Sequence, residues 1–284
     1  MATFTNQAFL SYRNSVTPSN IVTGEIREVL TAAKTAVTET YTAGDTVTYA
    51  ISLVNTGAAA LTGLTVTDDL GAYPFGAGTV VPLDYTEGSV RYFVNGVLQP
   101  APAVSSVSPL TVTGLSLPAG GNGILLYETA VTGYAPLGTD GTIVNTATIT
   151  GPGVPTPITV TETVAAEAAA FLTITKAISP VSVSDNEPLT YTFVIRNFGN
   201  TATVATDDVT VTDTFDPILN PITVTLDGVT LVEGTDYTYD ETTGAFATVP
   251  GRVSVPAATY TQDPTTGEWN VEPGVVTLTV VGTV

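Results

Sequence analysis

Two stretches of this chain carry the same three residue types at the same spacings. Lys34 to Tyr49 and Lys176 to Tyr191 are each 15 positions apart, and Lys34 to Asn55 and Lys176 to Asn197 are each 21. Agreement across three residue types marks an internal repeat, so the chain must build one kind of domain twice. Around these anchors, LTAAKTAVTETYTAGDTVTYAISLVNT (30–56) and LTITKAISPVSVSDNEPLTYTFVIRNF (172–198) each read as strand, turn and strand. Their Thr- and Val-rich runs alternate with period two. A third strand follows in both, LTGLTVTDDL and TDDVTVTDTF, placing Asp68 34 positions and Asp213 37 positions after the lysine. The second copy therefore carries a small insertion.

Beyond this point the copies diverge in sequence but keep their plan. Asn95-Gly96 and Asp227-Gly228 each sit between apolar runs as hairpin signals. Each copy then reaches a strand introduced by glycine, GILLYETAVTG or GVVTLTVVGTV. The length of 284 residues suits about two domains. With 43% hydrophobic and 12% charged residues, and no helix-period stretch except a short Ala run at 165–170, the expected fold class is all-β. Short strands with regular turn signals predict a Greek-key β-sandwich for each copy.

The two ends of the chain complement each other. Residues 143–176 run from an alternating strand with Asn145 and Ala147, through a Pro/Gly loop and a second Thr/Val strand, into the Lys176 strand. The first 30 residues have the same grammar, with Asn6 and Ala8 in the first strand, and they lead into the Lys34 strand. The N-terminal hairpin is thus expected to be a domain ending without its domain, and the second repeat is expected to lack its closing hairpin. The expected division is a donor segment at 1–29, a first sandwich at 30–166 and an incomplete second sandwich at 167–284.

Charge and composition exclude several functions. Seven basic against 26 acidic residues give a net charge of −19, which disfavours nucleic acid or an anionic membrane as partner. No cysteine or histidine is present, which removes disulfides, zinc chemistry and the usual nucleophile-and-base pairs; an enzyme, a cofactor or a dedicated metal site is not expected. No membrane span and no signal peptide is visible, so a signal was removed or absent, or export uses another route.

The pattern of a lysine strand, Gly-Asp-x-Val-x-Tyr, Asn-x-Gly, Val-Thr-Asp-x-Leu/Phe and Asn-x-Ala resembles the repeat family called domain of unknown function 11. Lys34, Gly44, Asp45, Tyr49, Asn55, Gly57, Asp68 and Asn145 carry it in the first copy, and Lys176, Tyr191, Asn197, Gly199 and Asp213 in the second. The second copy departs in having Asn186-Glu187 for Gly44-Asp45 and in lacking its Asn-x-Ala strand. The resemblance implies tandem immunoglobulin-like modules of bacterial or archaeal surface proteins. It speaks for fold far more than for function.

The only two lysines, Lys34 and Lys176, occupy one position of the repeat. Strand alternation places Lys176 with Ile174 and Ile178, Asp68 with Leu64, Val66 and Leu70, and Asp213 with Val209, Val211 and Phe215. Asn145 falls in phase with Ile143, Ala147 and Ile149, and Asn6 with Phe4, Ala8 and Leu10. All three residue types are expected to face a core. Burying a lysine drives it toward the neutral amine. Such an amine can attack the Asn carbonyl while the aspartic acid polarises it and shuttles protons; ammonia leaves and a Lys–Asn isopeptide bond remains. The set is similar to self-formed bonds of bacterial immunoglobulin-like surface domains. Glu128 is a rival acid, with Thr279 as its expected counterpart in the second copy. The plainer reading makes each lysine a partly exposed or salt-bridged residue.

In the first repeat Lys34, Asp68 and Asn145 lie in cis, whereas Lys176 and Asp213 need Asn6. Folding the hairpin back would mean crossing a sandwich of roughly 40 Å with almost no linker. The simpler expectation is a head-to-tail homopolymer in which the N-terminal hairpin of one subunit completes the second sandwich of the next. That predicts a self-assembling fibre at the cell surface, with assembly on a spore as one setting. The alternative is a surface adhesin or glycan-binding module excised from a repeat array, using Tyr and Trp in DYTYDETTG and DPTTGEWN around Trp269. Asp207-Asp208 with Asp216, or Asp236 with Asp240, could offer weak oxygen ligation to calcium, although no calcium-loop motif is complete.

Overall fold

The computed structural model describes residues 2–26 and 28–284. Met1 and Arg27 of the expected donor segment lie outside the described residues. The chain is all-β, two β-sandwiches in tandem, and separates into one unit of residues 1–136 with 141–165 and another of 137–140 with 166–284. Among the described residues no helix is long and apolar enough to cross a membrane.

The first unit packs two six-stranded sheets. In one, the lysine strand Leu30–Ala36 lies beside the tyrosine strand Thr46–Asn55, which pairs with Asn122–Val131. In the other, the aspartate strand Leu61–Asp68 is held on both edges, by Leu110–Leu117 and by the asparagine strand Thr142–Thr150. The asparagine strand pairs in turn with Ile158–Ala166. Strict alternation decides what each strand buries. Val47, Tyr49, Ile51 and Leu53 point inward from one sheet and Leu64, Val66, Asp68 and Leu70 from the other.

The second unit repeats the first sheet. The strand Leu172–Ser179 pairs with Pro188–Asn197, which pairs with Gly274–Thr283. Turn chemistry is conserved where sequence is not. Gly44 and Asn186 both hold positive φ, at 79° and 68°, and the Asp45 and Glu187 carboxylates each accept from the backbone N–H three residues earlier, Thr42 and Ser184. Asn is one of the few side chains that tolerates that conformation. Asn95-Gly96 and Asp227-Gly228, all at positive φ, turn their hairpins as expected.

The second sheet differs. The aspartate strand Thr212–Thr214 pairs with Ala245–Thr248 on one edge; among the described residues its other edge has no strand partner. That edge is where the first unit holds its asparagine strand.

The N-terminal segment forms a long hairpin, Ala2–Asn6 with Val22–Ile26 and Phe9–Tyr12 with Ser15–Pro18, turned at Arg13. It has a strand pattern without a core. Phe4, Leu10, Tyr12 and Val22 are 52%, 68%, 67% and 55% exposed. A lone two-stranded ribbon with this much uncovered apolar surface gains little from its own packing.

Candidate functional site

In the first unit the lysine strand aims Lys34 into the core, where its Nζ lies 2.6 Å from Asp68 Oδ2 and 4.8 Å from the centroid of the Tyr49 ring. Both side chains of the ion pair are almost wholly buried. Asp68 Oδ2 also accepts from the Tyr127 hydroxyl, and Oδ1 from the Leu70 N–H. Tyr127 stacks on Tyr49 at 5.7 Å. Burial pulls Lys34 below the ordinary lysine range even though Asp68 pulls the other way. The same burial pushes the Tyr49 and Tyr127 hydroxyls up.

Asn145 joins this cluster. Two residues along its strand, Ala147 stands directly opposite Asp68 in the ladder, so Asn145 emerges on the same inner face. It is fully buried, and neither its Oδ1 nor its Nδ2 has a hydrogen-bond partner among the described residues. The Tyr49 and Tyr127 hydroxyls are near enough to feel the amide, yet no contact reaches hydrogen-bonding geometry.

The other fully buried asparagines behave oppositely. Asn55 donates to the carbonyls of Ala59 and Pro118 and accepts from the Gly57 N–H. Asn197 donates to Thr201 and Pro256 and accepts from Phe171 and Gly199. These two clamp the Asn-x-Gly turns. A buried amide with no partner costs about 1–3 kcal/mol, so Asn145 is held where ordinary folding energetics would replace it.

In the second unit Lys176 pairs with Asp213 and lies over the Tyr191, Phe193 and Phe215 rings at 4.4, 5.5 and 5.6 Å. The expectation that Lys176, Ile174 and Ile178 are covered is not met. The Lys176 side chain is 41% exposed, and Ile174 and Ile178 are 53% and 42% exposed. The strand faces the correct side, but among the described residues no asparagine strand closes the sandwich on that flank. Asn6 sits exposed on the hairpin, and no described hydrogen bond joins it to Lys176 or Asp213.

Two further residues need correcting. Glu128 is exposed and points away from Lys34, so it is no rival to Asp68. The ladders pair Tyr49 with Tyr127 and Tyr191 with Val280, so the second-unit counterpart of Glu128 is Val281 rather than Thr279. Tyr127 was legible as a tyrosine in the apolar phase of its strand, a position where a hydroxyl needs a partner.

Three of the five loop carboxylates considered for calcium are engaged locally. Asp207 accepts from the Val204 N–H, Asp236 accepts from Val232 and pairs with Arg252, and Asp240 accepts from Thr242. Among the described residues no group of three or more acidic side chains could hold a metal ion.

A scan against protein-family models finds no match, and a search of the curated proteins finds none either. Solved structures with a similar arrangement include the pilus backbone of Streptococcus pneumoniae (14% identity, TM-score 0.36), covering 86% of this chain and 55% of that one. The chain thus spans about half the length of that protein. Another is the major pilin subunit of Bacillus cereus (13% identity, TM-score 0.35; 88% of this chain, 66% of that one). A third is a family 123 glycoside hydrolase from Clostridium perfringens (10% identity, TM-score 0.33; 49% of this chain, 27% of that one).

Proposed function

We propose that this chain is a structural subunit of an extracellular fibre, joined head to tail by strand donation and locked by Lys–Asn isopeptide bonds. One observation carries the reading. The described chain holds an apolar hairpin with nothing to cover it and an acceptor sheet edge with nothing to pair it, and the first unit supplies the template for their union. In that template Ala147 faces Asp68 and Ile149 faces Val66. Placing Ala8 opposite Asp213 and Leu10 opposite Val211 of a second copy reproduces it and carries Asn6 to Lys176. Pairing would give the open edge of Thr212–Thr214 a strand partner and cover Ile174 and Ile178.

The intramolecular bond joins Lys34 to Asn145. Within the Lys34–Asp68 hydrogen bond the ammonium proton passes to the carboxylate, leaving a neutral amine and a carboxylic acid. The amine nitrogen attacks Cγ of Asn145 while the acid hydrogen-bonds its Oδ1. The tetrahedral centre collapses as the Cγ–Nδ2 bond breaks; Nδ2 takes both protons shed by Lys34, relayed through Asp68, and departs as ammonium, leaving the neutral isopeptide and the Asp68 carboxylate. One N–C bond forms, one breaks, and Asp68 is regenerated. Lys176, Asp213 and a neighbour's Asn6 would perform the same exchange between subunits. A contact between unlike surfaces propagates without closing, which gives a filament. A bacterial or archaeal cell surface, and membership of the domain of unknown function 11 repeats, fit the reading.

Boiling the protein in detergent, separating it on a denaturing gel and weighing each band tests both bonds. A ladder of multimers short of one ammonia per domain junction is the expected result. A monomer of full mass would refute the isopeptide reading, and a monomer short of one ammonia would confine it to the first unit.

A further inference from the structure

We propose that the tip of the donated hairpin, Tyr12 with Arg13, is the register stop of the polymer, seated in an open cavity of the neighbouring copy's second unit. This rests on the strand-donation reading and adds what fixes the alignment.

Register is a real problem at this junction. A one-residue slip turns the hairpin inside out and is excluded by its pattern. A two-residue slip is not: Asn6, Ala8, Leu10 and Tyr12 fall in one phase of the alternation, and such a slip would bring Phe4 or Ala8 to Lys176, neither of which has an amide. The strand ladder alone cannot forbid it.

The two units each carry a cavity at one place in the repeat, between the segment entering the lysine strand and the segment following the Asn-x-Gly turn. In the first unit it is about 560 Å³, lined in part by Val29, Gly57 and Leu61, and Pro152 and Gly153 of the asparagine-strand loop form one wall. In the second unit it is about 480 Å³, lined in part by Ala168, Leu172, Val204, Asp207 and Val209, with no counterpart of that loop. Counting from Asn145 and Asn6, Gly151 corresponds to Tyr12, Pro152 to Arg13 and Gly153 to Asn14.

Gly151 has no side chain where a Cβ would come within 3.0 Å of Leu64 Cα and 3.1 Å of the Gly63 carbonyl oxygen. The matching floor in the second unit is Asp208 and Val209, since Gly63 and Asp208 each stand five residues before the aspartate and both hold positive φ, 70° and 51°. Val209 also lines the second unit's cavity, so that cavity adjoins the place where the Tyr12 ring would arrive. Arg13, stacked on Tyr12 at 5.2 Å, would arrive beside Asp207 and Asp208. Arg13 is the only described cation of the hairpin, so the charges match.

The test is made on the full chain. Tyr12→Ala, Arg13→Glu, and the conservative pair Tyr12→Phe and Arg13→Lys are compared with wild type for filament mass by light scattering and for the share of junctions that survive boiling in detergent. Tyr12 and Arg13 are exposed in the unassembled chain, so unchanged melting of the first unit verifies folding. The inference requires Tyr12→Ala and Arg13→Glu to lower the boil-resistant share by about tenfold or more, with the conservative variants near wild type. If both assemble and cross-link like wild type while deletion of residues 2–26 abolishes assembly, the register stop is wrong and strand donation stands. If the deletion also assembles, both readings fall.

Discussion

Replacing Asn145 by alanine gives opposite signs under the two readings of the first unit. If Lys34 and Asn145 are joined, the cross-link closes a loop of 145 − 34 = 111 residues. A loop of about 100 residues removes close to 4.7 kcal/mol of unfolded-state entropy. Alanine forfeits that and adds a small cavity worth about 1 kcal/mol. If the two are not joined, alanine deletes a buried amide whose oxygen and nitrogen have no partner. Relief of that desolvation recovers about 1–3 kcal/mol and offsets the cavity. The bonded reading therefore expects a loss of about 6 kcal/mol, and the unbonded reading expects no loss or a gain. At about 2–8 °C per kcal/mol for domains of this size range, the bonded case lowers the first unit's melting temperature by at least 10 °C. Scanning calorimetry of the two proteins, with intact mass on the same samples, decides it. A variant melting at or above wild type, with masses differing only by the substitution, would refute the argument.

Four more outcomes follow from the geometry. Asp68→Ala removes the proton carrier, so the first unit should keep its full mass after days at room temperature while wild type has lost one ammonia. Tyr127→Phe deletes one donor that stabilises the ionised Asp68 Oδ2, so the carboxylate takes the Lys34 proton more readily and bond formation should quicken by about tenfold to a hundredfold, the worth of a hydrogen bond to a charged group; timed mass spectra of refolding protein read this directly. Asn6→Ala should leave filaments visible by electron microscopy that dissolve to monomers in hot detergent, and a surviving ladder would exclude Asn6 as the junction amide. In Asn145→Ala, Lys34 remains a buried amine with a lowered pKa, so the folded chain sheds that proton before the unfolded chain does. As pH rises toward about 10.4, the ordinary lysine value, the unfolded state then holds more protons, and the variant should gain stability with rising pH. Wild type, with Lys34 locked as an amide, should lack that gain; denaturant midpoints at matched pH compare the two, and the shared tyrosine titrations cancel in the difference.

How far these features were legible in the sequence depends on what a period-two pattern encodes. It assigns a side chain to a face. Asp68 and Asn145 could be placed on the inner face by counting from Leu64 and Ile143, and both are buried there. Counting does not say whether anything covers that face, and for this reason Lys176 keeps its correct side while its strand stays exposed along its whole length. Counting across a ladder is weaker still. Glu128 could be matched to Thr279 because the glycines that open Gly123–Val131 and Gly274–Val284 look equivalent, but the ladder aligns Asn122 with Val54 and Val275 with Arg196, shifting the match by two residues. An even shift preserves every inward and outward assignment, so nothing in the hydrophobic pattern reveals it.

The same degeneracy acts on the protein itself. A donated strand that reads its acceptor only through alternation has equally good fits every two residues, yet bond formation tolerates only one of them. In the first unit chain connectivity removes the ambiguity, because Asn145 is delivered by a strand already paired on both edges, to Leu61–Asp68 and to Ile158–Ala166. A donor from another subunit has no such tether, and its exposed apolar residues favour any in-phase register almost equally. On the strand-donation reading, specificity would come from the point where the alternation ends, which is the turn at Arg13. There a bulky aromatic and a cation replace the Gly-Pro-Gly of the internal copy. A hairpin that only needed to add a strand would gain nothing from Tyr12 and Arg13 at its tip; one that must deliver Asn6 to a single lysine does.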